Sequence, residues 1–423
     1  MPTTPPPEAL RVNVIGLGYV GAEVCLAAAA AGHRVAAIEN DAVRLGELRA
    51  DTHKADNWTK IRRAIADRQV DVCDTIEAAP PADVWIVAVA TPLDADRHPD
   101  TSHIEAAARA LARVVTPHAV VILESTSYPG TTERIFLPPF LQQGWTPGVD
   151  LFVGYSPERI DPGNREWTMQ TIPKLVSGCT EKCAKTIADF YRTVVDSVHP
   201  MSSTAAAEMA KLLENSWRLI NITFANENET LCTALGLDAW EIGEACRTKP
   251  FGYHGLNPGP GAGGHCIPVD AAYLSHFARS VDVSTPVLDT AVQANTERPA
   301  VIARRVRDVL ADTAAADRPA RVLVVGVAYK SDIGDTRESA GIALMRVLHQ
   351  AGTEVEYHDP HVPTLRLPHG GFRSVPLTAG TAEEYDCIVV TTAHAAVDWE
   401  VLKYCTTALI DTCNAAALIA RLA

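Results

Sequence analysis

"RVNVIGLGYVGAEVCLAAAAAGHRVAAIEND", residues 11–41, decides the fold. Arg11 to Ile15 is β-branched and apolar, the composition of a buried strand. Gly16-Leu17-Gly18-Tyr19-Val20-Gly21 follows as G-x-G-x-x-G, and Gly21 to Ala31 is Ala-rich and helical. Gly32 stands where a helix C-terminal glycine belongs, and Arg34 to Ile38 is the next strand. In a strand–turn–helix of this kind Gly16 allows the turn, Gly18 lets a pyrophosphate approach the backbone, and Gly21 lets helix pack on strand. The helix N-terminus adds N–H groups and a partial positive charge. Glu39 ends the second strand, 23 residues after Gly16. A carboxylate there accepts from ribose hydroxyls and repels a 2′-phosphate. The expected cofactor is therefore NAD, bound by Gly16, Gly18, Tyr19, Val20, Gly21 and Glu39.

Working outward, further apolar runs at 83–90, 118–125 and 151–156 alternate with helical segments such as "SHIEAAARALARVV". That rhythm predicts an α/β fold with a doubly wound parallel sheet. Ligands of such sheets sit beyond the strands' carboxyl ends, where Thr91, Ser125-Thr126 and Ser156-Pro157-Glu158 follow three successive runs. Each alone reads as a turn or cap; together they suggest a polar floor. Residues 204–236 carry apolar positions at helical spacing without a proline, predicting one long central helix, or two with a kink, closed by Gly236. After Arg321 the strand–helix rhythm returns as a second, smaller Rossmann-like domain, led by a linker at 311–320. The expected organisation is a flexible tail at 1–10, a dinucleotide-binding Rossmann domain at 11–200, a central helical region at 201–300 and a C-terminal α/β domain at 301–423.

Composition narrows the class. With 47% hydrophobic and 21% charged residues, the 423-residue chain reads as a soluble protein of two or three domains. A net charge of -14 argues against nucleic acid or an anionic membrane as the main partner. "MPTTPPPEAL" lacks the basic and apolar segments of a signal peptide, so the expected location is the cytoplasm with reduced thiols. The ten cysteines are scattered, only Cys179 and Cys183 are close, and no metal site is expected. Most of them read as small buried hydrophobes.

Cys266 keeps different company. It lies in "PGPGAGGHCIPVD", residues 258–270, among four glycines and three prolines, with Asp270 four residues on. Taken with "GLGYVG", "TPLDADRHPDTSHIE", "ESTSYPGTTE", "YSPERIDPGN", "AEMAKLLENSWRLINI" and "GVAYKSDIGDTRES", in that order along the chain, the stretch resembles the nucleotide-sugar 6-dehydrogenases that act on UDP-glucose, UDP-N-acetylglucosamine or GDP-mannose. The resemblance runs from about residue 11 to the C-terminus.

It implies oxidation of a sugar's primary alcohol to a carboxylate with two NAD, through a thioester on cysteine. By motif position it makes Cys266 the nucleophile and implies catalytic roles for Asp270, Lys211, Asn215, Thr126 and Glu158. Glu158, Lys211, Asn215, Gly263 and Lys330 would bind the nucleotide sugar; Thr91, Thr126 and Arg337 would join the cofactor site. It further implies a homodimer or larger assembly joined through the central helix. The residue types suit the chemistry, because an aldehyde gives up hydride readily only after a nucleophile has added to it. Lys211 and Asn215, spaced i, i+4, share a helix face and offer two donors to an oxyanion. Asp270, or a water held by Thr126 and Glu158, is the candidate base.

UDP-glucose members usually carry a second glutamate where this chain has Pro162, and the "GGHC" form resembles the N-acetylhexosamine branch. UDP-N-acetylglucosamine is therefore the favoured substrate, with UDP-glucose or dTDP-glucose as the alternative. A nucleotide-sugar epimerase or dehydratase is disfavoured, since no tyrosine is followed four residues later by lysine. A non-catalytic NAD-binding regulator would not need Cys266, Lys211 and Asp270 together.

Overall fold

In strand β1 (Arg11–Ile15) four of five residues are buried, and β2 (Arg34–Ile38) repeats the pattern. Near-continuous apolar strands are what a sheet covered on both faces requires. The computed structural model of the protein describes residues 9–49, 58–94, 96–161, 164, 166–313, 318–368 and 370–415. The tail at 1–8, Pro162 and residues 314–317 of the expected linker lie outside them; residues 311–313 belong to the helix Pro286–Thr313.

The described residues form two compact units, Met1–Glu214 with Arg279–Val281 and Asn215–Ala278 with Asp282–Ala423. In the first, β1 and β2 are joined by β3 (Val70–Cys73), β4 (Val84–Val87), β5 (Ala119–Leu123), β6 (Leu151–Tyr155), β7 (Lys174–Gly178) and β8 (Val198–Pro200). The sheet order is β3-β2-β1-β4-β5-β6-β7-β8, with every pairing parallel except β6 with β7. Order reverses between β1 and β4, the switch point where a doubly wound sheet opens its ligand crevice. Side chains alternate between two cores: Val84 and Ile86 enter one, Trp85 and Val87 the other.

The central helix runs unbroken from Thr204 to Leu235, and Gly236, at φ +68°, ends it. The boundary between the units falls within it, after Glu214.

In the second unit β9 (Arg321–Val325), β10 (Glu354–His358), β13 (Cys387–Val390) and β14 (Ala408–Asp411) form a parallel sheet of order β10-β9-β13-β14. A hairpin of β11 (Thr364–Leu367) and β12 (Gly370–Arg373) forms a separate ladder that packs Leu365 and Leu367 into the same core. The first turn of this sheet duplicates that of the other. Gly16 (φ +89°) donates its N–H to the Ile38 carbonyl at 2.8 Å; Gly326 (φ +85°) donates to His358 at 2.8 Å. Leu17 N–H donates to Glu39 at 3.2 Å; Val327 N–H donates to Asp359 at 2.8 Å. The difference is length. The helix after Gly16 starts at Tyr19, whereas the helix after Gly326 starts only at Ala340. The extra loop carries Lys330 and Arg337.

Candidate active site

The first unit presents a dinucleotide cradle. A Cβ on Gly21 would run into the Gly16 carbonyl oxygen, so only glycine lets helix Tyr19–Ala30 start this close to β1. A Cβ on Gly18 would meet nothing within 4 Å, the open approach that a pyrophosphate needs. No acidic residue stands in the helix's first turn to compete for its N–H groups. Glu39 is buried at the end of β2 and fixed by the N–H groups of Leu17 (3.2 Å) and Asp41 (3.0 Å). Arg44 lies 3.7 Å from its carboxylate and over the Trp58 ring, which in turn packs on Tyr19 at 5.4 Å. These residues fit NAD. The sequence gives no direct signal for Arg44 and Trp58.

The strand ends after β4, β5 and β6 are arranged differently from a simple polar floor. The Ser125 hydroxyl donates 2.8 Å to the Val89 carbonyl, tying the β5 end to the segment before Thr91. Ser156 is sealed and donates to the Leu175 carbonyl at 2.7 Å. Thr91 and Thr126 are half-buried. Glu158 is buried, accepting from the N–H groups of Arg159 (2.6 Å) and Ile160 (2.7 Å) and from Lys174 Nζ (3.1 Å). Burial alone would push its carboxyl up, but the Lys174 charge and the two N–H groups outweigh it and hold Glu158 below the usual range. A carboxylate so stabilised is a good acceptor and a weak base.

Arg159 is anchored by Glu214 of the central helix (Nη2 to Oε1, 2.6 Å) and by the Pro173 carbonyl. Three residues before Glu214 on the same helix, Lys211 is buried.

The second unit explains the glycine-rich loop. Gly259 N–H donates to Asn226 Oδ1 (2.7 Å), and Asn295 closes a two-way pair with Ala262 (2.7 and 3.0 Å). Arg298 donates to the Gly259 carbonyl (3.1 Å) while paired with buried Glu229 (2.8 Å). Two long helices thus clamp the loop through its backbone. Next, Gly264 N–H donates to the Arg337 carbonyl at 3.1 Å. Gly264 sits at φ +82°, where a Cβ would come within 2.7 Å of the Tyr329 ring. Glycine is required here because two loops press together, and that pressing brings Cys266 beside the long loop after β9.

Cys266 is half-buried and immediately precedes helix Ile267–Ser280; the Asp270 N–H donates to its carbonyl at 2.8 Å. A thiol at a helix N-terminus is favoured as thiolate. The Arg337 guanidinium interacts electrostatically with it while held by Asp335 (Nη2 to Oδ2, 2.5 Å). Burial would lower Arg337, and Asp335 outweighs that and raises it. Asp270 is buried one turn into the helix and accepts from Asn215 Nδ2 at 2.5 Å. The amide donor expected at an oxyanion, Asn215, is thereby hydrogen-bonded to Asp270. Gly263 and Lys330 are half-buried near this loop junction and on the β9 loop.

Asp332, His361 and His394 offer atoms within 4.8 Å of one another, a spacing compatible with a metal. Both nitrogens of His394 are already engaged, Nδ1 by Asp332 N–H (2.9 Å) and Nε2 by Asp359 (3.1 Å). His394 thus braces the second sheet through Asp332 and Asp359, while His361 Nε2 has no hydrogen-bond partner among the described residues.

The chain is similar to known proteins over most of its length. Residues 10–195 match the NAD binding domain of the UDP-glucose/GDP-mannose dehydrogenase family, 205–297 its central domain and 323–417 its UDP binding domain. Protein CapL of Staphylococcus aureus is 34% identical over 352 residues, 82% of each chain. The UDP-N-acetyl-D-glucosamine 6-dehydrogenase of Pseudomonas aeruginosa is 31% identical over 391 residues, 91% of each chain. The solved structure of UDP-D-ManNAc dehydrogenase from Pyrococcus horikoshii superposes with a TM-score of 0.84 at 30% identity, over 96% of this chain and 95% of that one.

Proposed function

Because the chain belongs to the UDP-glucose/GDP-mannose dehydrogenase family, and so is an NAD-dependent oxidoreductase of nucleotide sugars, we propose that it converts the primary alcohol of a UDP-N-acetylhexosamine to the uronic acid on one sulfur, that of Cys266. NAD, when bound, takes up a hydride in each of the two oxidations. The Cys266 sulfur adds to the aldehyde carbon, the thiohemiacetal is oxidised to a thioester, and water then breaks the C–S bond to release acid and thiol. The observation that carries the reading is Cys266 itself: a half-buried thiol at a helix start, near the Arg337 guanidinium, one turn before an Asp270 aimed by Asn215. Asp270 then serves as base or water holder, and Lys211 supplies positive charge to the oxyanion.

UDP-N-acetylglucosamine is the first candidate, on the "GGHC" loop and the Pseudomonas relative. The mannosamine epimer is the second, because the Pyrococcus structure superposes over nearly the whole chain. The test is a panel of UDP-N-acetylglucosamine, UDP-N-acetylmannosamine, UDP-glucose, dTDP-glucose and GDP-mannose with NAD, following NADH and product mass. Two NADH per sugar and a uronic acid product are expected from an N-acetylhexosamine nucleotide. One NADH per sugar, or a product still at the aldehyde, would refute the two-step reading.

The same reading includes a second copy of the chain. Along the central helix Leu213, Trp217, Phe224, Leu231 and Leu235 are exposed at spacings of four and seven. Such a stripe on one helix face is an association surface, which we assign to a homodimer. Light scattering on wild type and Trp217→Asp/Phe224→Asp should give dimer and monomer; a wild-type monomer at micromolar concentration would remove the assignment. No described helix is long and apolar enough to cross a membrane, and a cytoplasmic site of action is part of the proposal.

A further inference from the structure

Two members of one buried cluster in the first unit, Lys174 and Glu124, have been given no part in the chemistry so far, although they surround Glu158. Lys174, the first residue of β7, places Nζ 3.0 Å from Glu124 Oε1 and 3.1 Å from Glu158 Oε2, with all three side chains closed off from water. Tyr191, at the end of helix Glu181–Tyr191, donates its hydroxyl to the same Glu124 oxygen. Glu124 Oε2 is buried without a partner. Two carboxyl groups share one cation in a site where an uncompensated charge is expensive, so one of them must be neutral. Glu158 has the cation and two backbone N–H groups; Glu124 has a share of the cation, a phenol and an orphan oxygen. The charge therefore settles on Glu158 and the proton on Glu124. Burial pushes Glu124 up in keeping with this, against the pull of Lys174. The other groups facing the cluster are Glu23 and Cys25 of the first helix, with Lys60 acting on Glu23. Cys25 is pushed up by burial and stays neutral. Glu23 is itself pushed up by burial, with Lys60 opposing and Glu158 adding to the push.

We propose that Lys174 is a positioning residue for the oxidation: bridging two carboxyl groups, it locks Glu158 as a fixed anionic acceptor, while Glu124 stores the proton that keeps the cluster neutral. This rests on the reading that Glu158 serves the reaction. It assigns Glu158 to orienting a hydroxyl or water, and leaves proton removal to another group.

The experiment is the pH profile of kcat/KM for the full-length enzyme and four variants. Glu158→Gln should lose about tenfold or more in kcat, the scale of a lost positioning contact. Lys174→Arg should keep the wild-type acid limb. Lys174→Met should lower kcat more than it raises KM and move the acid limb up by about one unit or more. Glu124→Gln, replacing a group already neutral, should leave the limb in place. The infrared carbonyl band of a buried neutral carboxyl, seen in wild type at about pH 8.5, should vanish in Glu124→Gln. A folded Lys174→Met with an unmoved limb would reduce Lys174 to a structural role and overturn the proposal. If Lys174→Met does not fold, the infrared arm decides: a band that survives in Glu124→Gln overturns the proton assignment, and its loss supports it. A fully active Glu158→Gln would instead remove the underlying role of Glu158.

Discussion

At the scale of single residues, the glycines of the first turn separate two demands that one motif combines. Gly21 answers to packing, since any Cβ there strikes the Gly16 carbonyl; Gly18 answers only to a ligand, since its surroundings are empty. Gly21→Ala should therefore cost stability, on the order of the 1–3 kcal/mol seen for overpacked sites. Gly18→Ala should unfold at the wild-type urea midpoint yet bind NAD at least about tenfold more weakly, by loss of backbone–phosphate contact. Equal destabilisation by both changes would contradict the division. Residue roles of this local kind are legible in sequence because turn, helix start and Glu39 lie within one supersecondary unit. The Lys174–Glu124–Glu158 cluster is not legible, because its members come from three strand ends and meet only when β5, β6 and β7 align. Asn215 and Asp270 are legible as individuals, but their hydrogen bond is not.

At the scale of elements, the apolar runs give β1, β2, β4, β5 and β6, because buried strands are short and continuous in composition, whereas no such run marks β3, β7 or β8. Helix Pro286–Thr313 is harder to read, since Pro299 stands within it and a proline normally marks a boundary. The central helix is legible by its period, but what fastens its start is not. Glu208 accepts from Gly130 N–H (2.5 Å), Thr132 N–H (2.8 Å) and the Thr132 hydroxyl (2.6 Å), joining the central helix to the loop that follows Thr126. Burial, opposed by Thr132 and Gly130, pushes its carboxyl up to about 7. The folded protein therefore holds this proton more tightly than the unfolded chain. The resulting stability is fully present below the ordinary carboxyl range and is lost as pH rises through about 7. Urea midpoints should fall between pH 5 and pH 8 by an amount worth about 1–3 kcal/mol, and Glu208→Gln should flatten that dependence. A slope unchanged in Glu208→Gln would assign it to other groups.

At the scale of the whole molecule, the same strand–turn–strand unit has been used twice with opposite outcomes. In the first unit the turn is short and Glu39 stands ready for a ribose. In the second Asp359 is buried and taken by Val327, Ala328 and His394, and the turn is stretched into the loop that packs on Gly264 and carries Arg337. The sequence shows two α/β halves; it does not show that the second has exchanged a ribose acceptor for support of the Cys266 loop, because His394 lies 35 residues beyond Asp359. The account turns on that supported sulfur. Its most direct test is acid quench of the full-length enzyme during turnover with NAD and the preferred nucleotide sugar, followed by mass analysis of the Cys266 peptide. The expected result is a hydroxylamine-labile adduct carrying the oxidised nucleotide sugar on Cys266, absent from Cys266→Ser, which should still bind NAD. A Cys266→Ser enzyme that forms the uronic acid with two NADH per sugar, and no adduct in the wild type, would contradict it.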